Sequence, residues 1–183
     1  MSNLYKTFKC NDLKEIQYFL KNEIVNQLSI KQDYSNICIL KRQGFEDLYN
    51  KIHNHTAIKK FFIDINLYNN IIDYAVYCMP PGGSTGIHID GNEDNFQDWR
   101  VLIPISGYKN TTTTFYSSDI PPTKVESLID GKHKQNYYTY DPKDCKIIDQ
   151  FSGEDIYSID TTTIHSAENP SNDYRIHLWV LTV

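Results

Sequence analysis

The stretch GSTGIHIDG, residues 83–91, places two potential metal ligands, His88 and Asp90, two positions apart in the chain. An apolar run, DYAVYCM, leads up to it and is typical of a strand. If IHID is extended, side chains two apart point to the same face, so an imidazole and a carboxylate can converge on one ion. By itself this pair also fits a polar surface turn, and a third ligand is needed to define a site.

A third candidate ligand, His165, follows the strand-like run IYSID and a threonine cluster near the C-terminus. Two neutral imidazoles and one carboxylate can occupy one face of an octahedral Fe(II), which leaves three positions for a chelating cosubstrate and dioxygen. Arg175 comes ten residues after His165, at the start of the closing strand. Its guanidinium stays charged and can hold a carboxylate by two parallel hydrogen bonds. These residues predict a metal site with a carboxylate-binding end.

Taken together, the order and spacing of these residues resemble those of the Fe(II)/2-oxoglutarate-dependent dioxygenases. The resemblance covers roughly residues 73–183 and includes HxD, the distant histidine, the arginine, and the runs RVLIPISG, TTTTFY and DIYSID…HS. It implies a mainly β protein with N-terminal helices, whose core is a double-stranded β-helix, or jelly roll. It also implies that His88, Asp90 and His165 bind Fe(II) and that Arg175 binds the C5 carboxylate of 2-oxoglutarate as cosubstrate.

Three further residues are candidates for binding cosubstrate or substrate. His177 stands where many members carry a serine or threonine two residues after the arginine, and it is either a donor to 2-oxoglutarate or a half-buried strand histidine. Similarity to aspartyl/asparaginyl β-hydroxylase-like and proline-hydroxylase-like members implies that Arg100 points inward and binds a carboxylate of substrate or cosubstrate; the alternative is an outward salt bridge. Tyr77 is a candidate hydroxyl donor to 2-oxoglutarate in a chain that has 14 tyrosines.

The activity implied by this resemblance is hydroxylation of an amino acid, a peptide side chain or a small polar metabolite, with release of succinate and CO2. The aspartate ligand argues against halogenation, and desaturation or demethylation stays open. Two alternatives remain: a non-catalytic jelly-roll binding module, and a cupin-like metalloenzyme that does not use 2-oxoglutarate. The sequence has no GxSxG elbow, P-loop, dinucleotide-binding fingerprint or HExxH motif, so it lacks support for those enzyme classes.

Composition sets the wider frame. The 183 residues are 40% apolar with a net charge of −5, which predicts a single globular domain, and the scattered basic residues do not favour nucleic acid as a partner. The cysteines are widely spaced with no CxxC pair, so we expect free thiols and a cytoplasmic protein. No apolar run approaches the ~20 residues of a membrane span. The sequence does not indicate the oligomeric state.

The elements that must position these residues follow from periodicity. Apolar residues at helical intervals predict helices over 12–28 and across 45–61, so residues 1–60 are expected to form a helical support. Residues 61–183 are expected to form the jelly-roll catalytic core, with an inserted loop at about 117–140 that contains Pro121 and Pro122. The predicted strands are 61–67, 73–79, 86–90, 99–105, 111–116, 135–140, 145–150, 154–160 and 174–182.

The remaining histidines are not expected to bind metal. His53 and His55 lie two apart in a helical pattern, where they point to different sides, and they are interpreted as surface residues. His133 lies in the predicted loop and is interpreted as solvated.

Overall fold

The computed structural model describes residues 4–28, 38–41, 45–90, 99–129 and 133–182. The helices are α1 (Leu13–Leu28), α2 (Glu46–Asn54) and α3 (Thr56–Asp64). The strands of the described residues are β1 (Tyr5–Phe8), β2 (Cys38–Lys41), β3 (Ile71–Met79), β4 (His88–Ile89), β5 (Trp99–Ser106), β6 (Thr112–Ser117), β7 (Thr123–Ile129), β8 (His133–Thr139), β9 (Lys146–Ser152), β10 (Ile156–Asp160), β11 (His165–Glu168) and β12 (Arg175–Thr182).

These strands form two six-stranded sheets. The first has the order β1-β10-β5-β12-β3-β2 and the second the order β7-β8-β4-β11-β6-β9. The pairings within both sheets are antiparallel, and neighbours in space are mostly distant in sequence. The predicted fold, a mainly β jelly roll with N-terminal helices, is confirmed.

Strand alternation gives the first sheet two different faces. On β3 and β12, Val76, Cys78, Leu178 and Val180 belong to the main apolar core, which they share with the three helices. The intervening side chains, such as Tyr77 and His177, line a cavity between the sheets instead. Because successive strand residues point to opposite faces, one short sequence both anchors the helices and builds the cavity.

The helical part of the chain differs from its prediction in two ways. The pattern across 45–61 is two helices, because His55 is extended with φ −66° and ψ 125°. The later of these two helices, α3, continues to Asp64, so the strand predicted at 61–67 is wrong. Ala57, Ile58, Phe61 and Phe62 are all buried in the main core, and this spacing of four residues belongs to one helix face.

Two edge strands in the first 41 residues were not predicted. Tyr5–Phe8 pairs with β10, and Cys38–Lys41 pairs with β3. The region expected to be a helical support therefore also extends the first sheet at both edges.

The segment 117–140 is not a long loop. It contains β7 and β8, which pair with each other from Thr123↔Thr139 to Ile129↔His133. Strand β8 also pairs with β4, so the segment widens the second sheet beside His88. The two prolines lie just before β7, where they do not interrupt the strand.

Two further features bear on the expectations from composition. Among the described side chains, Cys10 and Cys145 are free thiols. Within the described ranges, no helix is long and apolar enough to cross a membrane.

Candidate metal centre

One strand pairing brings the two candidate histidines together. His165 on β11 lies opposite His88 on β4, and their ring centroids are 4.5 Å apart. Asp90 follows β4 directly, and its backbone N–H donates to the carbonyl of Thr161 at 3.1 Å. One ligand atom from each of His88, Asp90 and His165 lies within 4.8 Å of the other two. The second sheet thus assembles the histidine–aspartate–histidine group that the sequence indicates.

Each histidine is oriented by a backbone carbonyl two residues earlier. His165 Nδ1 donates to the Thr163 carbonyl at 2.8 Å, and His88 Nδ1 donates to the Gly86 carbonyl at 3.1 Å. A carbonyl accepts only, so each Nδ1 carries a proton, and the ring in its neutral form presents the lone pair of Nε2. Both Nε2 atoms face Asp90, at 3.2 Å from Oδ1 for His88 and 3.8 Å from Oδ2 for His165. This tautomer is the one required of a metal-binding imidazole.

The charge of Asp90 is maintained by its neighbours. Arg100 Nη1 donates to Asp90 Oδ2 at 2.7 Å. Burial by itself would raise the pKa of Asp90, but the Arg100 charge and the His88 hydrogen bond outweigh it and hold this pKa far below its usual range. The carboxylate is therefore ionised, as a metal ligand must be.

The two histidines differ in their protonation. Burial and the nearby charge of His88 lower the pKa of His165 to about 4. Burial also acts to lower the pKa of His88, but the hydrogen bond and charge of Asp90 reverse this and raise it. His165 is therefore a ready neutral ligand. His88 must first lose the proton that its Nε2 shares with Asp90, because a metal ion binds at that nitrogen.

Arg175 lies in the same cavity, almost fully buried at 1% exposure. Its Nη1 donates to the carbonyls of Thr112 at 3.4 Å and Glu168 at 3.2 Å. Its Nη2 donates to Thr113 Oγ1 at 3.3 Å and to the Tyr157 hydroxyl at 3.2 Å. Among the described residues none of its partners is a carboxylate, and its Nε has no partner.

A buried guanidinium without a counter-charge is costly, so this end of the cavity fits an anion. Thr113 and Tyr157 were missed in the sequence as site residues, although the runs that contain them were predicted to be strands. Each hydroxyl accepts a bond from Arg175 and keeps its own hydrogen to donate. Together with Arg175 they form a three-residue donor group for a carboxylate.

His177 and Tyr77 are neighbours on paired strands and both line the cavity. His177 is 0% exposed and Tyr77 is 4% exposed. Neither the Tyr77 hydroxyl nor a ring nitrogen of His177 has a hydrogen-bond partner among the described residues. Burial raises the pKa of Tyr77 above its usual value, and burial together with the Arg175 charge lowers that of His177, so both groups are neutral. Unpaired polar groups in this position are suited to a polar ligand.

Arg100 points inward, as the resemblance implies, but the carboxylate that it contacts is that of Asp90. Its guanidinium carbon also lies 4.7 Å from the ring centroid of Trp179, which in turn stacks on Tyr77 at 4.7 Å. The side chain is thus fixed between a carboxylate and an aromatic wall. Its Nε has no hydrogen-bond partner in the part of the chain that the structure describes.

The cavity has a volume of about 40 Å³, enough for a few water-sized molecules. It is lined by the His88–Asp90–His165 group and by the other predicted site residues: Arg175, His177, Tyr77 and Arg100. Three aliphatic side chains complete the wall: Leu102, Ile159 and Ala167.

The other histidines lie elsewhere, and two are less exposed than predicted. His53 contacts the hydroxyls of Tyr74 at 2.9 Å and Tyr68 at 3.1 Å. His55 stacks on Phe19 with centroids 4.0 Å apart. Both are packed against neighbouring aromatic side chains, so the interpretation as surface residues is wrong. The side chain of His133 lies outside the described residues.

The chain is therefore a jelly-roll protein with a histidine–aspartate–histidine group beside a buried arginine. No protein-family model and no curated protein sequence matches it. Among solved structures, it is similar to the epimerase SnoN in complex with Fe3+, alpha ketoglutarate and nogalamycin RO, with 11% identity, a TM-score of 0.55, and coverage of 97% of this chain and 78% of that one.

Two further solved structures show the same likeness. One is a structure of SnoN, a non-heme alpha ketoglutarate dependent epimerase from nogalamycin biosynthesis. It has 13% identity and a TM-score of 0.56, and the match covers 98% of this chain and 77% of that one. The other is the apo form of the non-heme monooxygenase ThoJ, with 12% identity, a TM-score of 0.53, and coverage of 98% and 74%. At these identities the likeness establishes the fold.

Proposed function

We propose that this protein is a non-haem Fe(II) and 2-oxoglutarate-dependent oxygenase. The observation that carries the proposal is that one cavity joins the His88–Asp90–His165 group to Arg175, a buried cation without a carboxylate partner among the described residues. The donor set suits the metal, because two imidazoles and one carboxylate leave positions open on a six-coordinate iron. The similarity to SnoN, whose complex contains Fe3+ and alpha ketoglutarate, supports the same assignment.

In this mechanism the side chains bind, orient and exclude water. His88, Asp90 and His165 hold the metal, and Arg175 with Tyr157 and Thr113 binds the distal carboxylate of 2-oxoglutarate. Bound iron would supply activation of dioxygen coupled to decarboxylation of 2-oxoglutarate to succinate and CO2, followed by hydroxylation of the substrate. The role of the chain is to fix the position of cosubstrate and substrate so that one C–H bond faces the reactive centre.

The charges in the cavity favour a substrate that carries a carboxylate, such as an amino acid or a small polar metabolite. Among the described lining residues the formally charged ones are Asp90, Arg100 and Arg175. With a divalent metal and a dianionic cosubstrate bound, these residues leave one positive charge in excess. The unpartnered Nε of Arg100 offers a donor for the anionic group that would balance it.

Arg175 also separates this proposal from its alternatives. A metalloenzyme that does not use 2-oxoglutarate has no need of a buried cation at the far end of the cavity. A binding module without catalysis has no need of His88, Asp90 and His165 in one place, with Nδ1 of each histidine held by a backbone carbonyl.

The test is an anaerobic titration with Fe(II), with and without 2-oxoglutarate, that monitors the weak visible charge-transfer band of the chelate. We expect a band in the wild type, no band in His165→Ala, and a band in Arg175→Gln only at much higher 2-oxoglutarate concentration. Asp90→Asn should likewise give no band, and Asp141→Asn is its matched control, because Asp141 is an exposed carboxylate paired with Lys143. Absence of the band in wild type, or its persistence in His165→Ala, would contradict the proposal.

A further inference from the structure

Asp90 is shared between the candidate metal site and a cation of the same chain. Arg100 Nη1 lies 2.7 Å from Oδ2, whereas His88 Nε2 lies 3.2 Å from Oδ1. A metal held by the two histidines needs this same carboxylate. Any cation that enters the site therefore meets a competitor that already occupies one of the two oxygens.

The position of Arg100 restrains how far its charge can move when a metal arrives. Arg100 lies on β5, a central strand of the first sheet, with its Cα opposite Ile159 on β10 and Leu181 on β12. Its side chain is 17% exposed, and its guanidinium stacks against Trp179. The charge lies in a mostly buried position, where charges interact more strongly than at a surface.

The balance of charge around the site is unusual for a cation-binding group. Within the described part of the cavity lining, one carboxylate is accompanied by two guanidinium groups, Arg100 and Arg175. A divalent cation entering alone adds to an excess of positive charge. A dicarboxylate entering with it cancels the two charges of the cation, so that the cavity returns to a single positive charge in excess.

We propose that Arg100 competes with the metal for Asp90 and keeps the site weak toward a bare divalent cation, so that metal is retained chiefly when a dicarboxylate is bound. This inference rests on the proposed function, because it concerns the same metal and the same cosubstrate. Its consequence is a metal that exchanges readily in the absence of cosubstrate. Arg100 thus affects metal binding through its ion pair with Asp90, without being a metal ligand itself.

This role gives a prediction opposite to that of a purely structural arginine. If Arg100 only oriented Asp90, its removal would weaken metal binding. If it competes, its removal strengthens binding of the metal alone and weakens the subsequent binding of the dianion. A folding defect would also weaken binding, so a gain in affinity has no trivial structural cause.

The experiment measures the affinity of the protein for Mn(II) alone, and of the Mn(II)-loaded protein for 2-oxoglutarate. Free Mn(II) is followed by electron paramagnetic resonance, so the readout does not depend on turnover. We expect Arg100→Gln and Arg100→Leu to bind Mn(II) about tenfold more tightly than wild type, and the loaded variants to bind 2-oxoglutarate more weakly by a similar factor. Arg100→Lys, which keeps the charge, is expected to remain within about threefold of wild type. Lys143→Gln is the control for loss of one positive charge at an exposed position.

Unchanged or weaker Mn(II) binding in both neutral variants would overturn the inference. Failure of the proposed function has a different signature: no Mn(II) binding by wild type even when 2-oxoglutarate is present, or equal binding by His165→Ala. Because two neutral replacements are measured, the result does not depend on the packing of either one against Trp179.

Discussion

His165 lies directly opposite His88 across an antiparallel strand pair, with the two imidazole centroids 4.5 Å apart. This register places one ligand from near the middle of the chain beside one from near its end. It explains how a short motif and a distant histidine form one site in a jelly roll. The following predictions test the site at its two ends and in its supporting structure.

The hydroxyls beside Arg175 are expected to contribute to binding of 2-oxoglutarate. Tyr157→Phe and Thr113→Val should each weaken its affinity about tenfold, because each removes a hydrogen bond to a charged group worth roughly 1.5–3 kcal/mol. Mn(II) affinity should stay unchanged, since neither residue contacts the metal group. Binding measured by calorimetry on Mn(II)-loaded protein checks this. Tyr68→Phe, whose hydroxyl contacts His53 outside the cavity, should behave as wild type.

Stability of the metal-free protein should fall in mild acid because of His177. Burial lowers the pKa of His177 in the folded state, so the unfolded chain takes up the proton first as pH falls below about 6.5. The contribution of this group is constant above that pH. Below it, stability decreases by at most about 1.4 kcal/mol per pH unit.

His165 acts in the same direction, with a folded-state pKa of about 4, and the raised pKa of His88 acts in the opposite direction. Urea unfolding at pH 7.5, 6.0 and 5.0 measures the slope. In His177→Gln the slope should be smaller. Parallel curves for variant and wild type would contradict this assignment.

Asn169 is expected to be important for stability although it contacts no ligand. It is 0% exposed, and its Nδ2 donates to the carbonyls of Met79 at 3.1 Å, Pro80 at 3.0 Å and Asp173 at 2.8 Å. It thereby ties the segment before His88 to the turn before Arg175. Asn169→Ala should cost about 2–3 kcal/mol of unfolding free energy, because buried carbonyls lose their donor.

Urea denaturation checks this loss, with Asn54→Ala as control. Asn54 also donates to a carbonyl, that of Asn50, but at an exposed position where water can replace the bond. A loss in Asn169→Ala no larger than in the control would show that the turn is held by other contacts.

Much of the site could be predicted because its information is local. The HxD spacing defines which side chains share a face, and the ten residues from His165 to Arg175 fit one turn between two strands. The apolar, β-branched and aromatic residues of β3 and β12 likewise predicted strands of nearly the observed length. Such patterns depend only on the geometry of one strand.

The remainder depends on which strands meet, and a single sequence does not contain that information. The contact of Arg175 with Tyr157 crosses from β12 to β10, and that with Thr113 crosses from one sheet to the other. The Arg100–Asp90 pair likewise joins the two sheets. The segment 117–140 was misinterpreted because its prolines and weak periodicity indicate a loop, whereas its strands are established by the pairing of β7 with β8 and of β8 with β4.

The measurement that tests the account most directly is a crystal structure of the protein grown with Mn(II) and 2-oxoglutarate, with the metal located by anomalous scattering. We predict one metal bound by Nε2 of His88, a carboxylate oxygen of Asp90 and Nε2 of His165. We also predict the distal carboxylate of 2-oxoglutarate on Arg175, with Tyr157 and Thr113 as further donors. A metal bound elsewhere, or a dicarboxylate that does not reach Arg175, would contradict the assignment of this cavity as an oxygenase site.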